Sequence, residues 1–196
     1  MEIKLAICTP HTGTIKTKTT FSLIRMLKKF PHDYNFLEVE GSVLHHNREY
    51  LAQTAIELKS THLLFVDSDM VFPEDALSRL LSRDKDIIGS TANGRGMGVF
   101  AGFAPTTTHK IKDGEITINE KHGDLLKCTG VGTGFMLIRI EVFKKLKQPW
   151  FFWESNEKGE LVTGEDMWFC RKARESGFDI WCDTSIKMGH IGDYIY

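Results

Sequence analysis

The chain has 196 residues, 41% hydrophobic and 26% charged, an ordinary globular composition in a length that can bury its own core. Its 25 Lys and Arg against 26 Asp and Glu leave a net charge of −1, which excludes a protein that grips nucleic acid through a broad basic field. No apolar run approaches the ~20 residues of a membrane-spanning helix.

The four cysteines, Cys8, Cys128, Cys170 and Cys182, form no Cys-x-x-Cys pair. Reduced thiols in a cytoplasmic protein are expected, with a secreted disulfide pair as the alternative. The first residues lack the basic start and cleavage site of a secretory leader, and residues 3–9 read instead as a buried strand. Residues 17–29 predict a helix with Phe21, Ile24 and Leu27 or Lys28 around one face. Its basic residues, Lys16, Lys18, Arg25, Lys28 and Lys29, form a solvated face or one drawn to an anionic membrane or phosphate. Residues 36–40 predict a second strand, 47–59 a helix with Leu51, Ala55 and Leu58 on one side, and 62–66 a third strand. Pro73 suits the first turn of a helix running to about residue 82, and 87–90 supplies a further strand. This alternation predicts right-handed crossovers, a mainly parallel α/β sheet and ligands at the carboxyl ends of its strands.

The later part of the chain reads as mixed. Gly94, Gly96, Gly98 and Gly102 loosen the segment after Ser90, and Asp113-Gly114 between Ile111 and Ile116 signals a hairpin. Strands over 125–129 and 135–139 flank Gly130-Val131-Gly132-Thr133-Gly134. A short helix is expected over 141–146, a longer one over 165–176 stopped by Gly177, and a strand over 178–182. No repeat or linker divides the chain, so one domain over residues 1–196 is expected.

Three motifs carry chemistry. The first is Asp67-Ser68-Asp69 after the apolar run His62-Leu63-Leu64-Phe65-Val66. Residues i and i+2 of an extended chain face the same side, so both carboxylates can converge on Mg²⁺ or Mn²⁺ with positions left for phosphate oxygens; alternatively they only form a turn before Pro73. The second is Thr163-Gly164-Glu165-Asp166, which serves either as a capping box or as a carboxylate base held at a helix start. In the third, Met188-Gly189-His190-Ile191-Gly192, His190 is either structural or a nitrogen ligand completing a carboxylate site. The cluster Pro149-Trp150-Phe151-Phe152-Trp153 reads as core packing or as a stacking platform for a sugar.

The order of Asp-x-Asp after a third strand, a Gly-rich segment, a Glu-Asp pair opening a helix and a late Gly-His resembles the glycosyltransferases of the GT-A fold, particularly family 2-like enzymes. The resemblance spans residues 3–190. It implies a Rossmann-like, mainly parallel mixed sheet flanked by helices, with residues 1–90 as the nucleotide-binding half and 91–196 as the acceptor and catalytic half. It also implies sugar transfer from a nucleotide-diphosphate donor, a UDP- or GDP-sugar, to a glycan or small hydroxyl acceptor, with Mn²⁺ or Mg²⁺ as cofactor. On it, Asp69 would ligate the metal, Asp67 would touch the ribose or the metal's water shell, and His190 would complete the set. Asp166 would deprotonate the acceptor in an inverting reaction, with Glu165 as the second choice. Thr9 and Pro10, in the loop after the first strand, and Ser68 would line the nucleotide pocket, Glu40 would contact the base, and Arg48 would lie near the nucleotide. Gly132, Thr133 and Gly134 would pass close to the donor sugar or acceptor.

The first loop, Thr9-Pro10-His11-Thr12-Gly13, departs from the Pro-x-Tyr-Asn common in family 2, which leaves the base open. A chain this short further implies a small or shallow acceptor site, or one completed by another domain or partner chain. The alternatives are a haloacid dehalogenase-type phosphatase with Asp67 as nucleophile and Asp69 as acid, a sugar nucleotidyltransferase, and a non-catalytic carbohydrate-binding module.

Overall fold

The computed structural model describes residues 2–92, 109–111, 114–116 and 118–192. The chain runs through β1 (Lys4–His11), α1 (Thr17–Lys28), β2 (Asp33–Glu40), α2 (Leu44–Glu57), β3 (His62–Val66), β4 (Met70–Val71), α3 (Ala76–Ser82) and β5 (Ile87–Ala92). It continues with β6 (His109–Ile111), β7 (Gly114–Ile116), β8 (Ile118–His122), β9 (Leu125–Cys128), β10 (Phe135–Arg139) and α4 (Ile140–Lys145). The last elements are β11 (Glu154–Ser155), β12 (Leu161–Thr163), α5 (Glu165–Glu175) and β13 (Ile180–His190).

The main sheet has the order β2-β1-β3-β10-β5-β13-β9-β8. Strands β2, β1 and β3 are parallel, as are β5 and β13, while β10 runs antiparallel between β3 and β5. Strand β9 is antiparallel to both β13 and β8, so the sheet is mixed, with most of its strands running in one direction and β10 and β9 opposed. Strand β10, from the later part of the chain, is hydrogen-bonded to β3 and β5 from the earlier part.

Burial on both faces explains the continuous apolar runs. In β1, Ala6 and Cys8 enter one core with Leu51, Ala52, Phe143 and Phe169, whereas Leu5 and Ile7 enter the other with Leu23, Met26, Leu77 and Leu80. In β3, Leu63 and Phe65 likewise face the first core and Leu64 and Val66 the second. Helices α2, α4 and α5 thus cover one side of the sheet, and α1 and α3 the other.

Several boundaries differ from expectation for identifiable reasons. The buried stripe of α1 is Thr19, Ser22, Leu23 and Met26, whereas Phe21 and Ile24 are exposed. Thr19 Oγ1 donates to the Ser68 carbonyl at 3.1 Å and Ser22 Oγ accepts from the Phe72 amide at 3.4 Å, so this stripe satisfies the backbone of the loop after β3. In α2, Leu51 and Ala55 are buried as expected, but Leu58 falls just past the end of the helix and is exposed. Pro73 precedes α3, its carbonyl accepting from the Ala76 amide at 3.1 Å. The last strand extends to His190, with an irregularity in its pairing between Asp183 and Lys187; polar Asp183, Thr184 and Ser185 interrupt the apolar run there. The hairpin expected around residue 113 forms as β6 paired with β7, Ile111 opposite Gly114. The glycines at 94, 96, 98 and 102 lie outside the described residues.

All four cysteines are buried and none forms a disulfide, and burial pushes each thiol well above its usual range. No helix among the described residues is long and apolar enough to cross a membrane.

Candidate active site

The Asp-x-Asp segment leaves β3 in a turn. The Asp67 amide donates to the Gly134 carbonyl at 3.0 Å, and the Met70 amide donates to the Asp67 carbonyl at 3.2 Å. The Lys16 amide donates to the Ser68 carbonyl at 2.8 Å, so Ser68 holds the start of α1 through its backbone. Because the chain turns, the alternation of an extended strand is lost, and the expected convergence of Asp67 and Asp69 is corrected. Asp67 Oδ1 accepts from Arg48 Nη2 at 2.8 Å, whereas Asp69 is buried and its Oδ1 lies 3.2 Å from His190 Nε2. Strand β4 explains the second pairing. Met70 is in register with His190 of β13, and the Ile191 amide donates to the Asp69 carbonyl at 2.9 Å.

Among the described residues no three His, Cys, Asp or Glu side chains gather as a metal-binding group. Asp69 and His190 nonetheless supply a carboxylate oxygen and an imidazole nitrogen side by side. That donor pair fits a divalent ion whose remaining positions are filled by water and phosphate oxygens.

Arg48 is the centre of the second arrangement. Its side chain is 1% exposed and lies over the Phe65 ring, 5.2 Å from the centroid. Besides Asp67 it donates from Nε to Glu165 Oε1 at 3.4 Å, while Nη1 is buried and makes no hydrogen bond among the described residues. Arg48 thus ties the Asp-x-Asp turn to the Glu-Asp motif from inside the protein. The adjoining residue of α2, Asn47, donates through Nδ2 to the Gly41 carbonyl at 2.9 Å. A Cβ at Gly41 would stand only 2.6 Å from Asn47 Oδ1, so a side chain there would displace the Asn47 carboxamide.

Glu165 opens α5 already engaged on both oxygens, with Oε2 accepting from Trp153 Nε1 at 2.6 Å. Held by Arg48 and Trp153, Glu165 is placed to orient its neighbours. The capping box is not formed: the N-cap of α5 is Gly164, without a side-chain cap. Asp166 Oδ1 instead accepts from the Met167 amide at 2.7 Å, and its Oδ2 lies on the side of Gly132, where a Cβ would stand 3.7 Å away. Burial raises the pKa of Asp166 from 3.8 to about 6, with the charge of Glu165 pushing the same way and the Met167 amide and Arg48 opposing. A carboxylate that gains proton affinity while remaining ionised near neutrality is suited to accept a proton from a hydroxyl.

The glycine segment runs between these groups. Thr133 is buried, and a Cβ at Gly134 would stand 3.4 Å from both Asp67 Oδ2 and Met70 Sδ. Thr9 and Pro10 belong to β1 itself, which continues to His11, rather than to the loop after it. They are buried at the carboxyl end of the strand, with Thr9 Oγ1 making no hydrogen bond among the described residues. Glu40 is the exposed last residue of β2, in register with His11.

Sequence reasoning missed the Arg48–Glu165 contact and the Trp153 hydrogen bond, because each joins positions 117 and 12 residues apart with no local pattern. Only the unusual pairing of Asn47 and Arg48 on the core face of α2, at the place of expected apolar residues, could have signalled them.

No family model matches the sequence, and no curated protein matches it. Among solved structures the chain is similar to A197 from STIV, with 20% identity, a TM-score of 0.63, and coverage of 97% of this chain and 87% of that one. It is also similar to UDP-glucose pyrophosphorylase complexed with UDP-glucose, with 7% identity, a TM-score of 0.52, and coverage of 94% and 90%. A structure described as a nucleotide-diphospho-sugar transferase from Desulfovibrio desulfuricans G20 matches with 10% identity, a TM-score of 0.51, and coverage of 97% and 83%. At such identities the likeness establishes the fold, which is the GT-A, nucleotide-diphospho-sugar transferase fold.

Proposed function

We propose that the protein is a divalent-metal-dependent glycosyltransferase, moving a sugar from a nucleoside-diphosphate donor to an acceptor hydroxyl with inversion. The observation that carries this reading is Asp166, a carboxylate with pKa raised to about 6, joined through Glu165, Arg48 and Asp67 to the turn that bears Asp69, which His190 meets from the end of β13.

In the proposed reaction Asp166 accepts the acceptor's hydroxyl proton as the acceptor oxygen forms its bond to the anomeric carbon. The bond from that carbon to the diphosphate oxygen breaks, and its electron pair leaves with the nucleoside diphosphate. Attack opposite the leaving group inverts the centre. Asp69 and His190 would hold a Mn²⁺ or Mg²⁺ ion, which neutralises charge developing on the diphosphate. Thr9, Pro10 and Ser68 border the nucleotide, Glu40 lies at the base end of the pocket, and Gly132, Thr133 and Gly134 let the backbone approach the sugar. Arg48 keeps Asp67 and Glu165 in place so that the base and the donor turn hold one geometry. The acceptor is a glycan or small hydroxyl compound, completed by a further domain or chain if its site is shallow. Four buried cysteines joined by no disulfide support a reducing, cytoplasmic setting.

The similarity to a pyrophosphorylase supplies a second reading, nucleotidyl transfer to a sugar phosphate. Such an acceptor is already an anion at neutral pH and needs no base, so the raised Asp166 favours a hydroxyl acceptor. The phosphatase reading is not favoured, since Asp67 stands against Arg48 in a transferase-type fold.

The test is a thermal-shift panel of UDP-, GDP- and dTDP-sugars with and without Mn²⁺, followed by nucleotide release with and without added pyrophosphate. A ligand at 100 times its Kd adds about 2.7 kcal/mol of apparent stability. A Mn²⁺-dependent shift with one nucleotide sugar and release of nucleoside diphosphate is expected. Formation of nucleoside triphosphate from pyrophosphate would instead establish the pyrophosphorylase reaction.

A further inference from the structure

The aromatic segment before the β11–β12 hairpin divides in two. Trp150 and Phe151 are 4% and 0% exposed, packed in the core, whereas Phe152 and Trp153 are 41% and 40% exposed. The exposed pair is not isolated. The His45 ring stands 5.1 Å from Trp153 and 6.1 Å from Phe152, and Phe152 stands 5.2 Å from Trp168. Arg171 lies over the Trp168 ring at 4.8 Å and donates to Glu154 at 2.8 Å. Polar groups therefore edge an apolar shelf built from α2, the segment before β11, and α5.

The shelf is held rigidly. The Phe151 amide donates to Glu49 at 2.6 Å, Lys172 Nζ donates to the Pro149 carbonyl at 2.8 Å, and Trp153 Nε1 is fixed by Glu165. Folding leaves Phe152 and Trp153 partly open to water although Trp150 and Phe151 beside them are buried, and clustered exposed aromatics of this kind mark binding surfaces. Flat rings with a polar rim suit pyranoses, whose C–H faces pack on an aromatic face while their hydroxyls take hydrogen bonds from the edge. Through Trp153 the shelf meets Glu165, the residue that precedes Asp166 at the start of α5. Thr9, Asp67 and Asp69 are on other elements, at the carboxyl ends of β1 and β3.

We propose that His45, Phe152, Trp153 and Trp168 form the acceptor subsite, a stacking shelf for a pyranose of a glycan acceptor. The proposal rests on the transferase reading above for the identity of the ligand as acceptor, but its binding chemistry is tested separately. The full chain is applied to an immobilised array of oligosaccharides, and the same is done with Phe152→Ala, whose exposed ring can be removed without opening the core. Nucleotide binding by both proteins is followed in parallel by thermal shift with UDP and GDP in Mn²⁺. If Phe152→Ala does not fold, Phe152→Leu takes its place, keeping apolar bulk without a flat ring.

Retention of the wild-type chain on particular glycans is expected, with about tenfold weaker retention of the variant, the scale of one lost aromatic contact. The nucleotide shift should be the same in both. No retention of the wild-type chain on any glycan, or equal retention of the variant, overturns the shelf and leaves the donor reading standing. Loss of the nucleotide shift in Phe152→Ala assigns the rings to a nucleobase and also overturns it. Glycan retention that depends on Phe152, with no nucleotide shift in either protein, upholds the shelf as a sugar site and removes the transferase reading.

Discussion

Arg48 reaches Asp67 from inside the protein, Nη2 to Oδ1 at 2.8 Å, with its own side chain 1% exposed. A guanidinium taken this far from water is tolerated because it has carboxylates on two sides, Asp67 and Glu165. Removing one partner of such an arrangement costs more than the pair contributes, since the remaining charge is left desolvated. Arg48→Met should therefore destabilise the protein by about 3–5 kcal/mol, measured by urea unfolding. Arg48→Lys should recover part of that loss, because an ammonium keeps the charge but does not fork between two carboxylates. Equal stability of Arg48→Met and the wild type would mean that the tie carries no structural weight.

Asp166 should govern the pH dependence. Its pKa rises from 3.8 to about 6 on folding, so activity should climb with pH through about 6 as the base loses its proton. Asp166→Asn should lose about 10²–10⁴-fold in turnover and that limb of the profile. The sign for stability is the reverse. A raised folded-state pKa stabilises the protein below the unfolded value and loses that contribution as pH rises through about 6. Hence wild-type Tm should fall relative to Asp166→Asn between pH 4 and pH 7, with the variant the more heat-stable at neutrality.

Glu165 should behave as a positioning residue. Both of its oxygens accept hydrogen bonds, from Arg48 and Trp153, and its charge helps to raise Asp166. Glu165→Gln should lower turnover less than Asp166→Asn and move the pH limb downward, because the repulsion on Asp166 is removed. A limb that stays in place would sever the electrostatic link between the two.

Asp69 and His190 should separate from Asp67 in their effects. Asp69→Ala and His190→Ala should abolish the Mn²⁺-dependent part of the nucleotide-sugar thermal shift. Asp67→Asn should instead lower Tm in the absence of metal, since it weakens a charge-assisted hydrogen bond worth about 1.5–3 kcal/mol. Loss of the Mn²⁺ effect in Asp67→Asn at unchanged Tm would return Asp67 to the metal.

The α/β class, the third strand and the motifs after it were readable because local signals carry them. Leu63 to Val66 form an apolar run buried on both sides, Gly177 ends a helix in a left-handed conformation with φ of 87°, and strand–helix alternation implies the sheet. Asp69, Asp166 and His190 were likewise visible as chemistry-bearing residues beside strand or helix ends. Their partners were not visible, because a partner is chosen by packing between segments distant in sequence. The turn after Val66 sent Asp67 to Arg48 and left Asp69 to His190, against the alternation of an extended chain. The face of α1 with Thr19 and Ser22 beside Leu23 and Met26 was buried rather than the one with Phe21 and Ile24, and there Thr19 and Ser22 bond the backbone at Ser68 and Phe72. The two exposed rings of the 150–153 segment were separated from the two buried ones by the direction in which the chain left the core. Sequence alone thus determined which side chains could do chemistry, and tertiary structure decided which of them meet. Desolvated charges and backbone groups must find partners in space, and the chain's local pattern does not specify where those partners lie.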